Sequence, residues 1–439
     1  MTKDDTSRFS RRTVLKGAGT AGMAGLAGCL GGGGGNGGGN GSGGGGSEGT
    51  LEIAHWWADG DGNEAINALV EGFQEEYPDV ELDNNLVAGG AGENLQTEIK
   101  TRIQNDEAPS TWQTWPGAAL QEYVEADLLE DLSDSVWSEN GMEDAYLEGP
   151  KQAAKPDGTY VTVPLNIHRL NNLFYNVEVV EEAGADPTSV STPSELVEVM
   201  QQISDAGMVG MANQTATPWS TLQLWAQVLM GEYGVDAYTA FTEGEVEANE
   251  DAVKGSLDIV KQYSEFFNED ASSLEWTEAN AMVIDGEAGL FHQGDWAAGA
   301  YGNADDFEFE EHWNHVPFPG TEGAYALNMD SFPFPANNPS PDATEKFLRY
   351  VGTVDAQERF NPLKGSIPPR TDVSTDGFGP FLTKQIEDFQ DSSDQPPSIA
   401  HGLAVRPGIQ TSLEEATKAF TTNWNVDDAY SGFVSAFDQ

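Results

Sequence analysis

Val163-Pro164-Leu165-Asn166-Ile167-His168-Arg169, with Phe174-Tyr175-Asn176 just behind it, decides how the rest of the chain is read. An apolar run reaches Pro164. Polar and ionisable side chains then follow at Asn166, His168 and Arg169 before the chain turns apolar again. Proline fixes its own φ and biases Val163 toward extended geometry, so a strand is expected to end or bend here. Two readings fit. One is a strand end on the surface; the other is a segment that crosses between two lobes and sets its polar groups at the cleft.

Upstream of this stretch, residues 51–56 read as a short strand. Ala65, Ile66, Leu69, Val70 and Phe73 form one helical stripe, with Asn63 as its candidate cap and Pro78 marking its end. A second strand begins at residues 80–82, which is βαβ grammar. Trp56-Trp57 at the first strand end either packs into the core or stacks on a ligand ring. Gly89-Gly90-Ala91-Gly92 departs from the dinucleotide GxGxxG pattern but lets backbone amides approach a ligand. Residues 110–117 form another polar strand end, where Gln113 and Trp115 sit two apart and so share a strand face. A helix is expected over 120–129.

Downstream, Trp219 lies in a loop ahead of a helix at 222–230, and Trp225 within that helix reads as core. Residues 250–267 read as one amphipathic helix, and Trp276 precedes a helical run at 279–285. Residues 288–292 form a strand whose exit loop is Gln293-Gly294-Asp295-Trp296-Ala297. Val316-Pro317-Phe318-Pro319 is expected to cross back between lobes. Residues 361–370 read as a loop with one conspicuous lysine, Lys364, and residues 398–402 carry His401.

The chain has 439 residues, enough for two or three domains. Asp and Glu number 73 against 20 Lys and Arg, for a formal charge of −53, which repels nucleic acid. The carboxylates are spread through a chain rich in aromatic residues, so disorder is not the reading. Molar salt would screen such a surface, and the pattern resembles the acidic proteins of extremely halophilic archaea. His312 and His315, three apart, lack the partners of a zinc motif, and there is no G-x-S-x-G elbow, P-loop or kinase signature.

The beginning of the chain reads as an address. Ser10-Arg11-Arg12-Thr13-Val14-Leu15-Lys16 is a twin-arginine signal, which implies export of a folded protein. The small apolar run after it is too short and too interrupted by glycine for a membrane span. Leu26-Ala27-Gly28-Cys29 looks like a lipobox that places a lipid on Cys29. This is the sole cysteine, so no intramolecular disulfide is possible. The glycine-rich run up to residue 48 then reads as a flexible tether; a merely disordered N-terminus is the alternative.

Polar and aromatic residues recur at loops and strand ends: Trp56, Trp57, Gln113, Asn166, His168, Asp295, Trp296, Lys364 and His401. Amide, carboxylate and lysine groups match sugar hydroxyls, and an aromatic face covers the ring. In this order the motifs resemble the extracellular solute-binding proteins of ABC importers, of the family-1 sugar-binding type and nearest the glucose-binding branch. The carriers are Ile53-Ala54-His55-Trp56-Trp57, Gly89-Gly90-Ala91-Gly92, the stretch from Val163 to Arg169, Phe291-His292-Gln293-Gly294-Asp295-Trp296-Ala297, Lys364-Gly365-Ser366-Ile367-Pro368 and Ala400-His401-Gly402.

The resemblance implies ring contacts from Trp56 and Trp57, and polar contacts from Gln113, His168, Asp295, Lys364 and His401. Trp219 and Trp276 are further candidate ring contacts, and Gly90 is a candidate backbone contact. Trp115 stands where those relatives carry a histidine, and either Asp61 or Glu64 would fill the acidic position after the tryptophan pair.

The implied fold is α/β and periplasmic-binding-protein-like. Two α/β lobes are joined by crossing strands (type II-like), with the ligand in the interlobe cleft. The expected division is a signal at 1–28, a lipidated Cys29 and tether at 29–48, a first lobe of 49–163 and 298–355, and a second of 164–297 and 356–439. The implied activity is non-enzymatic capture of a glucose-like monosaccharide outside the cell, with no cofactor. Its implied partners are a membrane permease with a cytoplasmic ATPase, and the protein would act as a monomer. A disaccharide, oligosaccharide or other polyol is the alternative ligand. A secreted glycoside hydrolase, which needs two carboxylates across a scissile bond, is the alternative from another class.

Overall fold

The structure, a computed structural model, describes residues 49–438 apart from Asp59, Gly90 and Ala91. The twin-arginine segment, Cys29, the tether, Gly90 and the side chain of Asp61 therefore lie outside the described residues. The strands are β1 (Leu51–His55), β2 (Leu82–Leu86), β3 (Thr111–Trp112), β4 (Thr162–Pro164), β5 (His168–Arg169), β6 (Asn172–Asn176), β7 (Val209–Ala212), β8 (Ala288–Gln293), β9 (Trp313–Pro317), β10 (Leu327–Asn328) and β11 (Ser331–Pro333).

In the first lobe, β2, β1 and β3 run parallel in that order. Thr114 and Ser331 then exchange two backbone hydrogen bonds, at 3.0 and 2.8 Å, and β11 pairs antiparallel with β4. The second lobe holds a sheet of order β7-β8-β6-β9. Ligands of open α/β sheets gather beyond the carboxyl ends of the strands. Trp56 and Trp57 leave β1 there, Trp115 follows β3, and Asp295 and Trp296 follow β8.

The opening stretch crosses between the two cores. Val163 and Leu165 are buried in the first-lobe core with Phe332 and Phe360. Ile167, two residues on, is buried in the second-lobe core with Phe174 and Phe291. Alternation along an extended chain sends Leu165 and Ile167 inward and leaves Asn166 and His168 on the opposite face. The chain returns where Met329 packs in the second core and Phe332 in the first, and it crosses a third time between Phe360 and Ile367. Ile167 and Ile367 lock the first and third crossings with paired backbone bonds of 2.8 and 3.0 Å.

These crossings move the expected lobe boundaries. β9 pairs with β6, and Ala298 and Tyr301 are buried in the second core, so the segment from 298 to the return at 329 belongs to the second lobe. Residues 316–319 are therefore not the return crossing. Helix Val354–Lys364 packs on helix Gly60–Glu76 and buries Ala356 and Phe360 in the first core, so it belongs to the first lobe.

Local ends also shift. Asn63 sits inside helix Gly60–Glu76 rather than capping it. Trp219 lies in helix Pro218–Tyr233 because Pro218 suits the first helical position, where no N–H is needed. Trp276 likewise starts helix Trp276–Ile284. The expected helix at 120–129 is a 3₁₀ turn, Gly117–Leu120, plus one short helix, Gln121–Glu125. The helix expected over 250–267 ends at Tyr263. Lys364 closes its helix, and Gly365 takes the left-handed conformation (φ 68°) that ends it.

Candidate functional site

A cavity of about 590 Å³ lies between the lobes. Its walls are aromatic. Trp56, Trp57, Trp115 and Tyr123 line it from the first lobe, and Trp219, Trp276, Trp296 and His401 from the second. The Trp56 and Trp115 rings stand 5.4 Å apart. His401 is the hub of the opposite wall, with Trp115 and Trp219 each at 5.9 Å and Trp296 at 5.6 Å. Trp57 packs on Phe360 at 5.0 Å within the first core and also lines the cavity. Trp56 lies over the backbone of Gly92, where an added Cβ would come within 3.2 Å of the indole.

The floor is polar and comes from the crossings. The Asp330 carboxylate accepts from Gln113 Nε2 at 2.9 Å and from Asn166 Nδ2 at 2.8 Å, while its own N–H donates to Asn166 Oδ1 at 2.6 Å. Asn166 Nδ2 also lies 3.2 Å from His168 Nε2. His168 Nδ1 meets Asp295 Oδ1 at 2.5 Å, and Asp295 Oδ2 accepts the Arg169 N–H at 3.0 Å. This chain sets the tautomer: Nδ1–H of His168 donates to Asp295, and Nε2 accepts from Asn166. Gln113 Oε1 accepts the Trp56 N–H at 3.0 Å and so ties the floor to the aromatic wall.

His401 is almost fully buried, and burial, with a smaller contribution from His168, lowers its pKa to about 3, so it is neutral at pH 7. Ser398 Oγ accepts the backbone N–H of His401 at 3.2 Å and lies 2.8 Å from its Nδ1. That hydroxyl can then donate to Nδ1, which leaves Nε2–H as a donor.

The mouth is ionic. Glu93, Lys100 and Gln96 come from helix Glu93–Gln104, and Gln410, Thr411 and Glu414 from helix Pro407–Asn423. Burial pushes the Glu414 carboxyl up to about 7; the 3.0 Å bond from Gln410 opposes this and the Glu93 charge adds to it. The lobes also touch beside the mouth. Ala118 N–H donates to Leu403 O at 3.0 Å, and Arg406 bonds Glu125 at 2.6 and 3.2 Å.

Nine residues singled out in the sequence share this one cavity: Trp56, Trp57, Trp115, His168, Trp219, Trp276, Trp296, Lys364 and His401. Two sit behind its wall. Gln113 and Asp295 are fully buried, with Gln113 bonded to Asp330 and Asp295 to His168, and neither is among the residues lining the cavity. Glu64 is exposed on helix Gly60–Glu76 and is not among the residues lining the cavity. Asn328, Asp330 and Glu414 line it and were missed. Among the described residues, no group of three or more His, Cys, Asp or Glu could hold a metal ion.

The chain matches the family model of bacterial extracellular solute-binding proteins over residues 68–388 and belongs to that family. It is 38% identical to the xylose/arabinose-binding protein XacG of Haloferax volcanii over 392 residues, which is 89% of this chain and 84% of that one. It is 22% identical to the glucose-binding protein GlcS of Saccharolobus solfataricus, over 70% of this chain and 58% of that one. Its fold is shared with the bacterial solute receptor AcbH (TM-score 0.78, 17% identity, 90% of this chain and 98% of that one). A chitin oligosaccharide binding protein shares it too (TM-score 0.76, 19% identity, 90% and 99%).

Proposed function

We propose that this chain is the extracellular sugar receptor of an ABC importer, anchored by a lipid on Cys29 after twin-arginine export. It captures a neutral monosaccharide, glucose or a sugar of similar ring, and delivers it to a permease with a cytoplasmic ATPase. The observation that carries this reading is the pairing of tryptophan walls with a floor of fixed hydrogen-bonding groups in one interlobe cavity. Aromatic faces cover the apolar side of a sugar ring, and oriented amides, carboxylates and imidazoles match its hydroxyls. The relative named for xylose and arabinose supports a single-ring ligand. The cavity volume also admits a second ring, so a short oligosaccharide is the second reading.

A glycoside hydrolase would use two carboxyl groups with separated pKa values. Asp330 and Glu414 line one cavity, so that rival is tested directly. Isothermal titration of the mature protein in molar KCl against D-glucose, D-xylose, L-arabinose, D-galactose and maltose is expected to give saturable binding of at least one sugar. An aryl glycoside assay is expected to show no turnover. No heat with any sugar, together with aryl glycoside cleavage, would replace the receptor reading with the enzyme.

A further inference from the structure

The return crossing was silent in the sequence, yet it contributes two polar residues to the cavity. β10 pairs antiparallel with β5, and Asn328 stands directly opposite His168. Directly opposed residues of an antiparallel pair point to the same side, and so do residues two apart on one strand. Asn328 and Asp330 on one segment, and Asn166 and His168 on the other, therefore form one four-residue patch. The hydrogen bonds among Asp330, Asn166 and His168 bear this out, and three of the four line the cavity.

Asn166 is spent within the patch: its Nδ2 serves Asp330 and His168, and its Oδ1 accepts the Asp330 N–H. Asn328 is not spent. Its residue is 4% exposed, and its Oδ1 is buried without a hydrogen-bond partner although the side chain borders the cavity. A buried amide oxygen without a donor is costly, and native proteins seldom keep one without a use. Asp330 adds an oriented carboxylate, each oxygen of which holds one amide donor and keeps a lone pair. The patch thus offers the Asn328 amide and the two Asp330 carboxylate oxygens, and the buried Asn328 Oδ1 is the atom still without a donor.

We propose that Asn328 and Asp330 form a hydroxyl-reading subsite, in which neighbouring O–H groups of the sugar donate to Asn328 Oδ1 and the Asp330 carboxylate. This rests on the sugar-receptor reading and deepens it. The subsite takes a ring with adjacent hydroxyl donors. It rejects an analogue that lacks one of them, because the acceptor would again be buried without a partner. Gln113 and Asn166 are positioning residues for the carboxylate.

The test uses the mature protein in molar KCl, with D-glucose, D-xylose, L-arabinose and maltose as probes and monodeoxy sugars of whichever probe binds. Asn328→Ala is expected to weaken the sugar about tenfold or more. The unliganded melting temperature should hold or rise, since the substitution removes an unpaired buried oxygen. Asp330→Asn replaces one acceptor oxygen by a donor that faces Gln113 or Asn166, so its affinity is expected to fall further and its stability to fall as well. The decisive readout is coupling. One deoxy sugar should bind wild type at least tenfold more weakly than the parent, yet lose little more in Asn328→Ala. Wild-type affinity in Asn328→Ala, or a full additive loss with every deoxy sugar, overturns the subsite while the receptor reading stands. No binding of any probe by wild type overturns both.

Discussion

The floor and the mouth of the cavity are built on opposite electrostatic plans. The floor is buried, and its two carboxylates, Asp295 and Asp330, are held by amides, an imidazole and a backbone N–H at 2.5–3.0 Å. The mouth is partly open to solvent and relies on charge: Glu414 near Glu93, and Arg406 on Glu125. A closed hydrogen-bond network in low dielectric is directional and resists salt. Exposed charges are screened within a few ångströms at molar ionic strength and contribute little. We therefore expect recognition to rest on the floor and adjustment on the mouth.

Asp295→Asn should separate the two plans most sharply. The carboxylate fixes the His168 tautomer and accepts the Arg169 N–H. An amide in its place turns one oxygen into a donor that faces another donor. The expected cost is about 2 to 3 kcal/mol in unfolding free energy, with affinity down tenfold or more, although Asp295 is not among the residues lining the cavity. Urea unfolding and calorimetry check both. An Asn variant that binds and unfolds like wild type would show that the floor is not a connected network.

The aromatic wall was readable in the sequence because tryptophan at a strand end or helix start is conspicuous. Trp56, Trp57, Trp115, Trp219 and Trp276 were all singled out, and all line the cavity. The outgoing crossing was readable too, since Pro164 and the polar run at 166–169 interrupt an apolar strand. The return crossing was not. β10 is two residues long, too short for any period to show, and Asn328 and Asp330 are separated only by Met329. The stretch Val316-Pro317-Phe318-Pro319 looked more like a break, yet Trp313–Pro317 is an edge strand beside β6, where proline is tolerated. Placing the return there hid the Asn328–Asp330 pair. Asp295 was readable as polar at a strand end, but sequence does not show whether a carboxylate faces a cavity or the imidazole in front of it.

A smaller effect distinguishes the two regions by pH. Burial raises the folded pKa of Glu414 to about 7 from its ordinary 4.5, so the folded state holds a proton that the unfolded chain releases. Its contribution is full below about pH 4.5 and is lost as pH rises to about 7. For a half-buried group this amounts to about 1 kcal/mol once solvent screening is allowed for. His401 has the opposite sign. Its folded pKa of about 3 lies below the ordinary 6.5, so its effect favours the folded state increasingly as pH rises from about 3 to 6.5. His55, His292 and His315, also lowered by burial, share that sign. The comparison is therefore made by difference. Wild type should lose about 1 kcal/mol relative to Glu414→Gln between pH 4.5 and 8 in urea unfolding. Parallel pH profiles for the two proteins would remove the mouth from the titration.

The smallest effect expected is at Arg406. Its guanidinium bonds Glu125 at 2.6 and 3.2 Å across the lobes, but both side chains are about half exposed. An exposed pair of good geometry contributes at most about 1 kcal/mol in dilute buffer. At 1 M salt the screening length is about 3 Å, so little of that survives. If the pair helps hold the lobes together, Arg406→Gln should weaken sugar binding by about twofold at low salt and leave it unchanged in molar KCl. The neighbouring Ala118–Leu403 bond joins two backbones, and a salt titration should not affect it. In Arg406→Gln it would still link the lobes, which is why the loss should stop near twofold. A tenfold loss that persists in molar KCl would contradict the division, because a directional contact at the mouth would then be supporting recognition alongside the floor.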